Sequence, residues 1–157
     1  MFGLFKSSSY FDPALSTFDR RRGRWRGTID LNGVRIPLVV SGGGKQPDAS
    51  ALAIAKDLHA MFVRDRERLS SAFVEHYEPY AEAVAEGELA SGSPLPIIHA
   101  SPDVWSYVEI ESASVTPLGR NLCAEVALRC AWDQEHTLGA RYVNGTFVEL
   151  NGSILPE

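Results

Sequence analysis

Hydrophobic and polar positions alternate with a period of two in the first and last thirds of the chain and with a helical period between them. Trp25, Gly27, Ile29 and Leu31 interleave with Arg24, Arg26, Thr28 and Asp30, and after Asn32-Gly33 the alternation resumes in Val34, Ile36, Leu38 and Val40. Asn-Gly accepts left-handed φ at both central turn positions, so residues 24–40 read as a β-hairpin. Pro37 cannot donate a ladder hydrogen bond, which places the second strand at an edge or turns that position away from a neighbour.

After Pro47-Asp48, a helix-start pair, the period lengthens. Leu52, Ala55, Leu58, His59 and Phe62 recur at helical spacing, and Leu69, Phe73, Tyr77, Tyr80 and Val84 continue it. Residues 48–86 therefore form a helical segment, with an interruption expected near Pro79. The Gly, Ser and Pro content of residues 87–102 marks a connector anchored by Ile97 and Ile98. Strands are expected over 104–115 and 121–132, then a last hairpin from Leu138 to Leu150 around Asn144-Gly145, so residues 103–150 read as antiparallel strands. Residues 1–22 show no clear period and read as an irregular arm whose Phe11, Leu15 and Phe18 tuck against the body. The fold class is a single α+β domain, residues 1–157. Its antiparallel sheet is built from the N-terminal hairpin and the C-terminal strands, with two central helices packed on one face.

Composition is that of an ordinary globular domain, 45% hydrophobic and 22% charged. The net charge of −5 argues against a general nucleic-acid binder, but it hides an asymmetry. Six basic residues against two acidic ones give residues 1–26 a net of +4, which leaves −9 for the rest. Cys123 and Cys130 are separated by an odd number of strand positions and point to opposite faces, so they do not pair with each other. The first six residues are too few for the apolar core of a signal peptide, and no run reaches the length of a membrane span. A reducing, cytoplasmic setting follows as the expectation.

The densest ionisable cluster is the corner Asp133, Glu135 and His136, behind Trp132. A carboxylate beside an imidazole suits general-base work or metal ligation. The other histidines, His59, His76 and His99, have no recognised metal spacing, and no cofactor or metal is expected. The competing and favoured account is structural, with the acids bonded to turn amides and Trp132 closing an apolar face. Ser41-Gly42-Gly43-Gly44-Lys45 lies where phosphate-cradling loops occur, but Gln46-Pro47-Asp48 in place of a hydroxyl residue makes it a solvated connector. Arg24 and Arg26, on either side of Trp25, would suit an acidic partner, and Trp105 and Tyr107 on a strand beside Glu109 and Glu111 would suit a protein interface, unless helices cover them.

The stretch Trp132-Asp133-Gln134-Glu135-His136-Thr137-Leu138-Gly139, followed by Asn144-Gly145 and Thr146-Phe147-Val148-Glu149, resembles the C-terminal signature of uncharacterised bacterial domains of unknown function. In that pattern a glycine usually follows the histidine, where this chain has Thr137. The resemblance implies a small α+β domain with no assigned reaction, and fold-level analogy extends to immunity proteins of bacterial toxin systems. The expected function is a non-catalytic protein-binding module, immunity-like, that holds a partner with a basic surface. The alternative is a hydrolase or metal-dependent enzyme that uses the Asp133, Glu135 and His136 corner.

Overall fold

The computed structural model describes residues 7–88 and 95–154. The first six residues and part of the 87–102 connector lie outside the described residues. Eight strands form one sheet in chain order: β1 Ser9–Asp12, β2 Ser16–Arg21, β3 Arg24–Leu31, β4 Val34–Val40, β5 Val108–Leu118, β6 Asn121–Cys130, β7 Asp133–Val143 and β8 Thr146–Gly152. Two helices, α1 Ala49–Arg64 and α2 Arg66–Ala85, and a 3₁₀ turn, Ser101–Ser106, lie between β4 and β5. The chain is α+β, as its periodicity implied. Every neighbouring pair is antiparallel except β4 and β5, whose parallel pairing spans Leu38–Val40 against Ala113–Val115. A parallel pair needs a crossover connection, which the helices supply.

Both Asn-Gly pairs are tight turns. Asn32 and Gly33 have φ of 52° and 78°, Asn144 and Gly145 of 51° and 76°. The supposed irregular arm is instead a third hairpin, in which Tyr10 stands opposite Phe18 and Asp12 opposite Ser16. The Asp12 carboxylate closes its turn by accepting from the Ala14 and Leu15 amides at 2.8 and 3.0 Å, and Lys56 of α1 holds the same carboxylate at 2.8 Å. Arg22-Gly23, with φ of 52° and 79°, then joins β2 to β3 by the geometry of the Asn-Gly turns. Three consecutive arginines hid the alternation, because only Phe18 of this strand is fully buried.

The helical segment breaks at Asp65 and not near Pro79. The Asp65 carboxylate is drawn off the helix by Arg64, at 2.6 Å, and by the Phe147 amide of β8, at 3.0 Å. Pro79 stays inside α2. It is exposed, as is Glu75, whose carbonyl it leaves without an amide partner in the helix. β4 is not an edge strand, but Pro37 precedes the three residues that pair with β5 and costs that ladder nothing. Ile97 is 70% exposed, so Ile98 and not Ile97 packs on the core.

One apolar core joins the helices to the sheet. Leu58 and Phe62 of α1 and Leu69 and Phe73 of α2 are fully buried with Trp25, Leu38, Val126 and Leu128. Trp25 donates its indole N–H to the Gly43 carbonyl at 2.9 Å, which ties down the glycine-rich loop and removes the ring from any stacking role.

Candidate functional site

The corner is a two-residue turn, Ala131-Trp132, since Cys130 pairs directly with Asp133. Asp133, Glu135 and His136 thus begin β7; they do not lie in a loop. The turn is pinned from outside by the Ala131 amide, which donates to the Tyr107 carbonyl at 2.9 Å. Trp132, 6% exposed, drops its ring edge-on against Phe73 and Tyr77 of α2, with centroids 6.1 and 5.5 Å away. Its indole N–H reaches His76 Nδ1 at 3.0 Å.

That bond fixes the His76 tautomer. Nδ1 accepts, so Nε2 carries the proton and points toward the Asp133 carboxylate 3.7 Å away. His136 Nδ1 lies 2.8 Å from the other carboxylate oxygen, and the Tyr80 hydroxyl faces the same group. Burial alone would push the Asp133 carboxyl up, but hydrogen bonds from His136 and Tyr80 hold it below the usual carboxylate range. Burial lowers His76, against the pull of Asp133 and with the help of His136. Burial, with Asp133 alongside, raises Tyr80 to about 12. A nearly buried carboxylate therefore gathers a neutral phenol, a neutral imidazole and a second imidazole whose side chain is 65% exposed.

This arrangement can orient His136, but it offers the orienting carboxylate to three groups at once. Glu135 is exposed and does not bond to the cluster. Cys130, the nearest thiol, is buried and raised to about 11, chiefly by desolvation, and is no nucleophile. Among the described residues, no group of three His, Cys, Asp or Glu side chains is placed to hold a metal ion. A surface groove of about 470 Å³ takes in Gln134 with Tyr107, Glu109 and Arg129, but not Asp133, Glu135 or His136.

The other candidates separate. Arg24 stands across the hairpin from Arg21, and exposed Arg26 stands opposite Asp19, far along the sheet order from β7. Trp105 lies in the 3₁₀ turn, not on a strand, and the helices cover it. Its N–H donates to Ser70 Oγ at 2.7 Å, its ring meets Phe62 and Phe73, and the Arg66 guanidinium stacks 4.6 Å above it. Tyr107, 37% exposed, remains accessible.

Two features escaped the sequence. On the sheet face opposite Val126, fully buried Glu125 receives the Arg141 guanidinium at 3.2 Å and the Ser153 hydroxyl at 2.6 Å, and Arg141 also binds Glu149 at 2.6 Å. Gly139 makes room for this pair, since a Cβ there would collide with the Glu125 carboxylate. The signal was a lone acid inside the apolar run Cys123–Leu128. The second is a stripe along α2. Glu75, Glu78, Glu82 and Glu86 follow one another at helical spacing, all exposed and none in an ion pair among the described residues. No basic residue occupies the last turn.

No helix among the described residues is long and apolar enough to cross a membrane. The family model Domain of unknown function (DUF6985) matches residues 15–153. Neither a curated protein nor a solved structure matches the chain.

Proposed function

We propose, for a chain that belongs to the DUF6985 family, that it is a non-catalytic protein-binding module whose acidic helix face holds a basic partner. The acid stripe on α2 carries this reading. Glutamates four apart repel one another at about 0.2–0.5 kcal/mol a pair, and a carboxylate in a last helical turn opposes the helix dipole at about 0.3–1 kcal/mol. The fold gains nothing from that placement, whereas a cationic surface laid along it would neutralise the repulsion and be steered to it. The corner supports the same conclusion, because the ties of Asp133 to α2 brace the helix that bears the stripe. An immunity-like role, in which a bacterial cytoplasmic chain occupies a basic toxin, is the specific form that the sequence resemblance implies.

The test is affinity capture with the wild-type chain and with the Glu78→Lys/Glu82→Lys variant. A basic protein retained by the first and lost by the second is the expected result. Equal retention by both, or none by either, would count against the proposal. The enzyme alternative rests on the His136–Asp133 contact of 2.8 Å alone, and it would gain ground if His136→Ala abolished a turnover activity while leaving stability unchanged.

A further inference from the structure

Between α1 and the turns that join β5 to β6 and β7 to β8 lies a cleft of about 400 Å³, a volume that suits a small ligand. Ile54, Asp57 and Met61 share one face of α1 and form its helix wall. Leu122 of β6 and Tyr142 of β7 line it from the sheet, and exposed Arg120 joins them from the β5–β6 turn. The Arg64 guanidinium, bonded to Asp65 at 2.6 Å, also donates to the Gly145 carbonyl on the cleft's border. That bond ties the β7–β8 turn to the end of α1, so the two walls keep a fixed spacing.

Three polar groups here have no partner in the fold. Asp57 and Arg120, both exposed, take part in no ion pair among the described residues. Tyr142 is 1% exposed, and its hydroxyl is buried without a hydrogen-bond partner. Burial pushes the phenol up, which keeps it a donor. The large majority of buried hydroxyls are bonded, so this one calls for an acceptor that the chain does not supply. A smaller cleft of about 220 Å³ beside the N-terminal hairpins is different: its Asp30 binds Arg35 and its Lys56 binds Asp12, so its charges are matched within the fold.

We infer that the cleft between α1 and these turns binds a small amphipathic zwitterion, a free amino acid with a large apolar side chain. Its carboxylate accepts from Arg120 and from the Tyr142 hydroxyl, its ammonium donates to Asp57, and its side chain lies on Ile54, Met61 and Leu122. The three unpartnered groups select this class together. A simple anion would face Asp57, a simple cation would face Arg120, and an uncharged hydrocarbon would leave the Tyr142 hydroxyl unbonded. The site is independent of the protein-binding reading, which uses α2.

Titration of the isotope-labelled full chain with L-leucine and L-phenylalanine, followed by its amide resonances, tests this. At least one of the two should shift residues 120–122 and 144–145. Its N-acetyl and its carboxamide derivatives should each bind at least tenfold more weakly, because each loses one charge-assisted pair. Asp57→Asn and Arg120→Gln, both at exposed positions, should weaken the free amino acid tenfold or more at unchanged thermal stability. Tyr142→Phe removes a hydroxyl that the fold leaves unbonded, so it should weaken binding severalfold and cost no stability. Derivatives that bind as tightly as the free amino acid, shifts confined to residues outside the cleft, or a Tyr142→Phe variant of unchanged affinity would overturn the inference. So would the absence of any shift at millimolar concentrations of both amino acids.

Discussion

At the scale of residues, the corner works as a clamp between β7 and α2. Trp132 fills the space beside Phe73 and Tyr77 and satisfies His76, so Trp132→Ala loses packing and orphans a ring nitrogen. Urea unfolding should show a loss of about 3–5 kcal/mol. His136→Ala removes one hydrogen bond at an exposed position and should cost no more than about 1 kcal/mol. Gly139→Ala forces a methyl into the buried Glu125 carboxylate and should cost about 1–3 kcal/mol by the same assay. A Gly139→Ala variant as stable as the wild type would show that Glu125 can move aside. How much of this was legible depended on the residue. Trp132 at the end of an alternating run announced a buried plug. The partners of Asp133 did not announce themselves, because His76 and Tyr80 are 57 and 53 positions earlier and only the fold brings them near.

At the scale of elements, the sequence spoke clearly where local chemistry alone decides the outcome. Asn-Gly turns need no tertiary help, and both were predictable. Arg22-Gly23 takes up the same left-handed pair of angles, but arginine gives no such signal; flanking strands impose the turn on it. The helix break at Asp65 was invisible for a related reason, since its cause is an amide of β8 more than eighty residues away. The α2–β7 contact should also respond to pH. His76 has a folded pKa below its unfolded value near 6.5, so the unfolded chain binds more protons as pH falls and stability is lost from about pH 7 downward until the folded group titrates. Asp133, likewise depressed, adds a second loss only below about pH 4. Replacing His76 by Gln, which can still accept from Trp132, should flatten the stability profile between about pH 7 and 5 and leave the acid limb in place. A profile unchanged by His76→Gln would mean that this imidazole is as protonated in the fold as out of it.

For the whole molecule, the α+β class followed from the order of periods, but the way the sheet is assembled did not, because no local pattern tells which strand meets which. Two antiparallel meanders, β1–β4 and β5–β8, each pair neighbours close in sequence. Among the described residues, the ladder that joins them runs along Leu38–Val40 and Ala113–Val115, residues some seventy-five positions apart, with the Ser41 amide adding one bond to the Val115 carbonyl. That narrow seam has a kinetic consequence. Closing a long loop is entropically unfavourable before its contacts form, so hairpins close early and distant pairings late. Each meander can gain structure independently, so the parallel strands are expected to zip only after the barrier to the native state is crossed. Val115→Ala, which thins the seam without touching a turn, should therefore speed unfolding and leave the refolding rate nearly unchanged in stopped-flow experiments. A variant that slowed refolding in proportion to its lost stability would place the seam in the nucleus. If the seam does form last, the chain emerging from the ribosome holds β1–β4 with an unmatched β4 until most of the remaining residues have been made, and for that interval its most exposed strand is one that the finished protein conceals.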